Sequence, residues 1–269
     1  MEQALGLSEP FIRFSAFAAV FLAMALWELA APRRLQAISR LRRWPGNIGL
    51  SVINTVALRI LFPAAAVGAA ILAHSHGWGL FQAINAPDAV AIIVSVILLD
   101  LVIYLQHRLF HAVPLLWRLH RVHHADPEFD VTTGVRFHPV EIMLSMLIKI
   151  GAVTALGAPV AAVLVFEVLL NATTMFNHAN IKLPQPLDRI VRLVVVTPDM
   201  HRVHHSVRRE ETNSNFGFSL PWWDWVFRTY RAQPVDGHDG MTIGIRKFRD
   251  PADLHLARML LQPIRPEQR

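Results

Sequence analysis

The feature that most constrains this chain is a five-residue run that occurs twice, His-Arg-Val-His-His, at residues 120–124 and 201–205. A third group, His107-x-x-x-His111, precedes the first copy. Residues three and four apart share a face of an α-helix, so the imidazoles of each group are expected to point together. Eight converging imidazoles exceed the needs of one metal ion, and the pattern therefore predicts a two-metal site: His107, His111, His120, His123, His124, His201, His204 and His205.

The residue types narrow the chemistry of this site without choosing the metal. Imidazole is a ligand of Fe, Zn, Cu and Ni, so several metals fit. The chain has no cysteine, which excludes disulfides, thiolate zinc sites and iron–sulfur clusters. Four further histidines stand alone and are expected to be ordinary surface or core residues: His74, His76, His238 and His255.

The composition indicates an integral membrane protein, because 53% of the residues are hydrophobic and only 17% are charged. Apolar segments at 11–31, 48–73 and 89–106 are long enough to cross a bilayer as helices. Two more runs, 139–156 and 160–176, flank Gly157-Ala158-Pro159 and predict a helical hairpin, spanning or re-entrant. We predict an all-α membrane protein with about four transmembrane helices and a helical cytoplasmic cap that carries the histidines.

Arginine placement predicts the orientation of these helices. Five arginines lie between residues 33 and 43, whereas residues 74–88 contain neither lysine nor arginine. The positive-inside rule then places the 32–47 loop and the histidines in the cytoplasm and residues 1–10 outside. The net charge of +6 is explained by anionic lipid rather than by nucleic acid.

Several residues around the histidine groups have two interpretations. Asp100 shares a helical face with His107 and is expected to orient a ligand imidazole, the alternative being an interfacial carboxylate paired with Arg108. His138 and His178 stand at the two ends of the hairpin, where each would ligate a metal or bind headgroups at the lipid entrance. A tryptophan cluster is expected to be core or an interfacial belt rather than a substrate stack: Trp222, Trp223 and Trp225.

With these residues in place, the chain resembles the fatty acid hydroxylase superfamily, particularly its sterol desaturase branch. Beside the histidine groups, the matching elements are Asp100-x-x-x-Tyr104, Phe137-His138-Pro139, Asn177-His178, Asn215-Phe216-Gly217-Phe218 and the run from Trp223 to Tyr230. One departure is Arg228, where members often have glycine, which affects a surface turn. The resemblance covers roughly residues 88–231.

The resemblance implies a membrane-embedded oxygenase with two non-haem iron ions and a lipid substrate that enters from the bilayer. It implies a metal-binding set of ten residues, the eight above with His138 and His178, supported by Asp100, Tyr104, Asn177 and Asp224. Residues 88–231 would form the catalytic domain, 1–87 an N-terminal region with two transmembrane helices, and 232–269 a cytoplasmic tail. Hydroxylation and desaturation both remain open, and zinc is expected to replace iron during ordinary purification.

Oxygen activation also needs electrons, and the sequence shows no cytochrome b5-like, flavin or nucleotide motif. A separate reductase, ferredoxin or cytochrome is therefore expected to dock, on a basic surface that includes Arg208 and Arg209. The expected location is the bacterial inner membrane. Two rival functions are a metal transporter and a zinc-dependent hydrolase or structural zinc protein. Against them, the histidines lie at segment ends rather than mid-membrane, and zinc needs only three or four ligands.

Overall fold

A computed structural model describes residues 9–266 of the chain, so the predictions for residues 1–8 and 267–269 lie outside it. Within the described part, regular secondary structure is helical, and extended pairing is limited to two isolated bridges, Pro32 with Ile181 and Ser206 with Ile243. The all-α prediction is confirmed. Several helices are long and apolar enough to cross a membrane, and the protein is a multi-pass membrane protein.

The membrane region begins with helices α1 to α5. Their bounds are α1 Glu9–Ala30, α2 Arg40–Leu61, α3 Ala65–Ser75, α4 Leu80–Ala83 and α5 Asp88–Ala112. The second apolar segment is two helices rather than one, because Pro63 lacks an amide hydrogen and interrupts the helical ladder between α2 and α3.

The predicted hairpin consists of α7, Pro139–Leu156, and α8, Val160–Asn177. Its tip, Gly157, adopts the left-handed conformation. Gly157 lies so close to Gly79 that a Cβ added to Gly79 would collide with the backbone of Gly157. The tip therefore reaches the 74–88 connection, at the end of the bundle opposite the histidines. Both arms are candidate spans, so residues 9–266 contain five such segments where about four were predicted.

The bundle packs around α8, which contacts α1, α3 and α5, while α7 contacts α2, α3 and α5. Its buried core comes mainly from α5, α7 and α8, for example Leu99, Met146 and Phe166. One charged group inside it is Glu167, whose carboxylate lies 2.9 Å from Lys149 Nζ and 2.6 Å from Arg13 Nη2. These pairs join α1, α7 and α8, which fits the rule that charges within a membrane are partnered.

Short helices and loops form the cap at the histidine end of the bundle. In chain order they are α6 Pro114–His124, α9 Gln185–Val191, α10 Pro198–His204, α11 Arg209–Thr212, α12 Trp222–Val226, α13 Gly237–Gly240 and α14 Leu256–Leu261, with single 3₁₀ turns at Thr133–Val135, Pro251–Leu254 and Gln262–Ile264. The C-terminal part packs on α2 and α6, since α14 contacts α2 and the last 3₁₀ turn contacts α6.

A buried ionic network fixes the loop at 125–138 to α2. The guanidinium of Arg43, which has no solvent-exposed area, donates to both carboxylate oxygens of Asp126 at 3.1 Å and also binds Asp130. Arg136 donates to Asn47 Oδ1 at 3.0 Å and to the carbonyl of Val122 at 2.7 Å. The loop beside the histidines is thus tied to both α2 and α6.

Candidate metal centre

Nine histidines meet in two adjacent groups at the junction of the bundle and the cap. In each group, one side-chain nitrogen per residue lies within 4.8 Å of the others. The five-histidine cluster contains His107, His111, His120, His124 and His204, and the four-histidine cluster contains His123, His178, His201 and His205.

Each copy of His-Arg-Val-His-His supplies both clusters. Helix α6 sends His120 and His124 to the five-histidine cluster and His123 to the other. Helix α10 contributes His204 to the first cluster and His201 to the second, and His205, the residue after this helix, also belongs to the second. The expectation that all three histidines of a copy point together is therefore wrong, because consecutive helical residues point about 100° apart.

Hydrogen bonds at Nδ1 fix the orientation of several imidazoles. His107 Nδ1 lies 2.7 Å from the carbonyl oxygen of Phe216, and His204 Nδ1 lies 2.7 Å from that of Ser214. His178 Nδ1 lies 2.8 Å from the carbonyl oxygen of Thr174, at the end of α8. A carbonyl only accepts, so each of these Nδ1 atoms carries the hydrogen, and each Nε2 of a neutral ring is left with a free lone pair.

In the five-histidine cluster, two such lone pairs point at each other, and a cation bound between them would resolve this arrangement. His107 Nε2 and His120 Nε2 are 3.1 Å apart, although both rings donate from Nδ1. In the second cluster, His178 Nε2 lies 3.2 Å from His123 Nε2 and 3.2 Å from His201 Nε2. Neighbouring nitrogen ligands that bind one ion at about 2.1 Å are separated by about 3 Å, so the donor set fits a bound metal in each cluster.

Burial keeps the imidazoles neutral and available as ligands. Burial lowers the pKa of His120 and of His178 to about 3. The pKa values of five more cluster histidines also fall well below the ordinary value, first through burial and then through neighbouring imidazoles: His123, His124, His201, His204 and His205. Neutral imidazole is the form that binds metal, so the site is ready for ligation near pH 7.

Several buried ring nitrogens have no hydrogen-bond partner among the described residues, which also indicates a bound metal. They include Nε2 of His111, Nε2 of His204 and both ring nitrogens of His205. Buried polar atoms in folded proteins nearly always have a partner, so a cluster of such nitrogens indicates a ligand. A metal ion in each cluster would bind one nitrogen of each of these three rings.

One carboxylate contacts a cluster histidine directly, and it is not among the predicted residues. Glu141 Oε1 accepts from His120 Nδ1 at 2.6 Å, and both side chains are buried. Carboxylates that hold the second nitrogen of a ligand imidazole fix its tautomer and raise its basicity. The available signal was an acidic residue in the first turn of an apolar membrane helix, which marks a partnered group.

Asp224 supports His107 through the backbone of the connecting loop. Its carboxylate accepts from the amides of Phe216 at 2.8 Å and Gly217 at 2.9 Å, and Phe216 in turn accepts from His107. Burial raises the pKa of Asp224 to about 6. Tyr104 joins the same network, because its hydroxyl lies 2.8 Å from Thr229 Oγ1, which donates to Asp224.

Asn177 and Asp100 also hold this loop rather than an imidazole. Asn177 Nδ2 donates to the carbonyl of Phe218 at 2.7 Å. Asp100 Oδ2 accepts from the indole of Trp223 at 2.9 Å and from the amide of Leu220 at 3.3 Å. The structure thus corrects both interpretations of Asp100, as an orienter of an imidazole and as a partner of Arg108, since the groups that donate to its carboxylate belong to the loop.

His138 is the one predicted ligand that the structure does not bring to the clusters. Its Nδ1 accepts from the amide of Val140 at 3.2 Å and so caps α7. Its Nε2 then carries the hydrogen and lies 3.2 Å from the carbonyl of Leu260. Both ring nitrogens are engaged in joining the hairpin to the C-terminal segment.

Aromatic rings surround the two clusters. Trp117 lies 5.0 Å from His111, which alone among the nine histidines is not fully buried. Two half-buried phenylalanines each contact both clusters. Phe137 stacks on His123 at 4.3 Å and lies 6.2 Å from His120. Phe218 lies 4.9 Å from His107 and 6.1 Å from His201, and it also packs against the core of the bundle.

Comparison with known proteins finds one family and several relatives. The model of the family described as fatty acid hydroxylase matches residues 92–229, about half of the chain. The ornithine lipid hydroxylase of Rhizobium tropici is 30% identical over 162 residues, which cover 60% of this chain and 46% of that protein.

The alkylglycerol monooxygenase of Homo sapiens is 29% identical over 149 residues, or 54% of this chain and 32% of that protein. The alkylglycerol monooxygenase of Xenopus tropicalis is 24% identical over 209 residues, 75% of this chain and 45% of that protein. The chain therefore spans less than half of the length of each of these relatives. No solved structure matches the chain.

Proposed function

The chain belongs to the fatty acid hydroxylase family, and from this premise we propose that it is a membrane-bound oxygenase with two iron ions that hydroxylates an alkyl C–H bond of a lipid. The observation that carries the proposal is the pair of adjacent clusters of neutral imidazoles with convergent lone pairs. Nine nitrogens are more than two zinc ions need, since zinc sites close with three or four protein ligands. The excess favours a metal of higher coordination number.

We assign five ligands to one iron and four to the other, along the two clusters, and leave His138 out of the set. When bound, the irons supply the one-electron chemistry that O₂ activation and attack on an unactivated C–H bond require. The chain's own residues hold the site in shape. Glu141 orients His120, and Asp224 orients His107 through Phe216.

Phe137 and Phe218 are the residues best placed to receive an alkyl chain. Each contacts one histidine of each cluster, so a methylene group beside either ring lies close to both metal positions. Their rings present only apolar surface, which excludes water from the reacting carbon and binds a hydrocarbon through burial. Because Phe218 also packs on the bundle core, the alkyl chain would come from the membrane side.

The relatives suggest both the reaction and the type of substrate. One is named a hydroxylase of ornithine lipid and others monooxygenases of alkylglycerol. We therefore favour hydroxylation over desaturation, and a lipid with a polar head and a long alkyl chain. Cells with and without the gene should differ in one lipid series by the mass of one oxygen atom, and ¹⁸O₂ should label the product. A mass difference of two hydrogens would instead identify a desaturase.

The electrons for this reaction are proposed to come from a separate one-electron donor protein. Among the expected docking residues, Arg208 binds Asp236 through two nitrogens at 2.8 and 2.9 Å, whereas Arg209 is exposed. Turnover by the purified protein should accordingly require an added reductase or ferredoxin system. Turnover with O₂ and lipid alone would contradict this requirement.

Residues 88–231 are proposed to be the catalytic region, since all nine cluster histidines lie within it. Residues from both flanking regions also contact this catalytic region. From the N-terminal side, α2 supplies Arg43, and from the C-terminal side the carbonyl of Leu260 meets His138.

The histidine end of the bundle is proposed to face the cytoplasm of a bacterial inner membrane, as the arginine distribution favours. Single cysteines test this, because the chain has no background thiol. Ser75 and Glu210 are exposed at opposite ends, and Ser75→Cys and Glu210→Cys should react with impermeant maleimide from opposite sides. In right-side-out vesicles, reaction at Glu210→Cys instead of Ser75→Cys would disprove the orientation, and reaction of both from one side would disprove the span count.

Glu141 provides a test of the ligand geometry. In Glu141→Leu, His120 loses its acceptor, and we expect metal affinity and turnover to fall by roughly 10–100-fold, as for other partners of ligand imidazoles. Glu141→Gln keeps an acceptor oxygen and should lose less. Metal content after dialysis, measured beside turnover, distinguishes the two variants.

Glu210→Leu is the control, because Glu210 is exposed and outside the site. Wild-type metal affinity and turnover in Glu141→Leu would contradict the role assigned to Glu141.

A further inference from the structure

Two segments of the cap expose large apolar side chains that the proposed reaction does not use. One runs from α9 to residue 194, and the other is α12 with the residue after it. Their exposed fractions lie between 36% and 66%, and we call them together the apolar patch: Leu187, Ile190, Leu193, Val194, Trp222, Trp225, Val226 and Phe227.

The first segment is amphipathic. Leu187, Ile190 and Val194 recur at intervals of three and four residues and are exposed, so they share one side. The opposite side carries Asp188 and Arg192, which are buried and paired with each other. An amphipathic element normally turns its apolar side to the protein core. Here the polar side faces the protein and the apolar side faces outward.

Contacts join the apolar patch to the histidine side of the bundle. Phe227 stacks on Tyr104 of α5 with ring centroids 5.3 Å apart. The indole of Trp222 donates to the carbonyl of Leu193 at 2.8 Å, which joins the two segments. Ser219 Oγ lies 2.9 Å from Thr173 Oγ1 of α8. The patch therefore lies beside the histidine-side turns of α5 and α8.

Its exposure matches that of residues on the bundle surface. Leu109 of α5 is 47% exposed and Leu169 of α8 is 44% exposed, and both belong to candidate membrane spans. Tryptophan at the edge of such a surface is typical of the membrane–water interface, where its ring lies among the headgroups.

The exposed charges within the two segments of the apolar patch are all positive. Residues 181–197 and 216–231 contain two carboxylates, Asp188 and Asp224, and both are buried. Lys182, Arg189 and Arg228 are exposed in the same stretches. Basic residues beside apolar side chains bind anionic lipid surfaces.

We propose that the apolar patch is a membrane-contact surface that lies in the headgroup region of the bilayer leaflet at the histidine end and binds anionic phospholipid. The cap then contacts the membrane surface instead of being surrounded by water. The clusters are held at the level of the bilayer surface, whatever reaction they catalyse.

Nitroxide labels on single cysteines test the proposal in the whole protein. Val194→Cys and Val226→Cys probe the two segments, Leu169→Cys is the lipid-exposed reference, and Val235→Cys, 62% exposed in the parent chain, is the control outside the patch. The protein is reconstituted in vesicles of phosphatidylcholine and phosphatidylglycerol. Collision with O₂, which concentrates in the acyl region, is compared with collision with a water-soluble nickel chelate.

Labels at 194 and 226 should give a ratio of O₂ collision to nickel collision between that of the label at 169, in the acyl region, and that of the label at 235, in water. A ratio at both 194 and 226 equal to that at 235 would overturn the proposal. So would protection from both relaxing agents that depends on the protein density in the vesicle, which indicates contact with a second copy.

The charge contribution is tested with the triple variant Lys182→Gln, Arg189→Gln, Arg228→Gln. In the parent chain, the label at 194 should move deeper when phosphatidylglycerol is added to phosphatidylcholine. The triple variant should lose this shift while its histidine clusters still bind metal. An unchanged shift would overturn the role of anionic lipid.

Discussion

Alanine in place of His204 or His178 is expected to remove one of two bound metal ions and to abolish turnover. His204 belongs to the five-histidine cluster and His178 to the four-histidine cluster, so each variant damages one metal position. Turnover should fall by more than about 100-fold, since even partners of ligand imidazoles are worth roughly 10–100-fold. Iron content of anaerobically purified protein, measured beside turnover, tests both effects.

His138→Ala is the matched control, because His138 also lies at the hairpin but its ring nitrogens contact Val140 and Leu260. This variant should keep both metal ions. An active, iron-replete His178→Ala protein would remove that residue from the ligand set. Equal metal loss in His138→Ala would show that iron binding depends on the whole hairpin rather than on the two clusters.

Replacement of Arg43 with leucine is expected to destabilise the protein more than any change on its surface. The side chain is fully buried and binds both Asp126 and Asp130, so its loss leaves two buried carboxylates without a cation. Removal of one member of a buried ion pair costs roughly 3–5 kcal/mol in free energy of unfolding. The thermal midpoint of the purified protein in detergent, followed by tryptophan fluorescence, measures the effect.

Arg42→Leu is the control, because Arg42 is adjacent in sequence and exposed. It should change the free energy of unfolding by no more than about 0.5 kcal/mol. Arg43→Lys should fall between the two, since lysine keeps the charge but loses the two-pronged hydrogen bonding. A thermal midpoint of Arg43→Leu equal to that of Arg42→Leu would show that the network does not hold the loop.

The sequence was sufficient for the fold class and for most of the candidate site. Apolar segments of about twenty residues cross a membrane whatever surrounds them, and the described helices fall where these segments lie. The eight histidines of the motifs and His178 all meet in the clusters. Three- and four-residue spacing within one helix is a local property, so it can be read from the chain alone.

Contacts between segments distant in sequence were not accessible in the same way. In the sequence, Arg43 is one of five arginines that flank a membrane segment. In the structure it is buried and binds two carboxylates that are more than eighty residues away. Asp100 shares a helical face with His107, but the loop that carries Phe216 fills the space beside it. In both cases the residue's contacts depend on where a distant segment of the chain packs. The spacing of residues within one helix does not contain that information.

The residue type of the candidate ligands, the absence of thiols and the helical membrane frame were determined by the sequence itself, because each depends on residue identity and local spacing. Only the tertiary structure decided how the histidines divide into five and four, that Glu141 holds His120, and that His138 lies apart. The division depends on the rotation of α6 and α10 relative to α5 and α8. Packing between helices fixes that rotation, and no pattern within a single helix contains it.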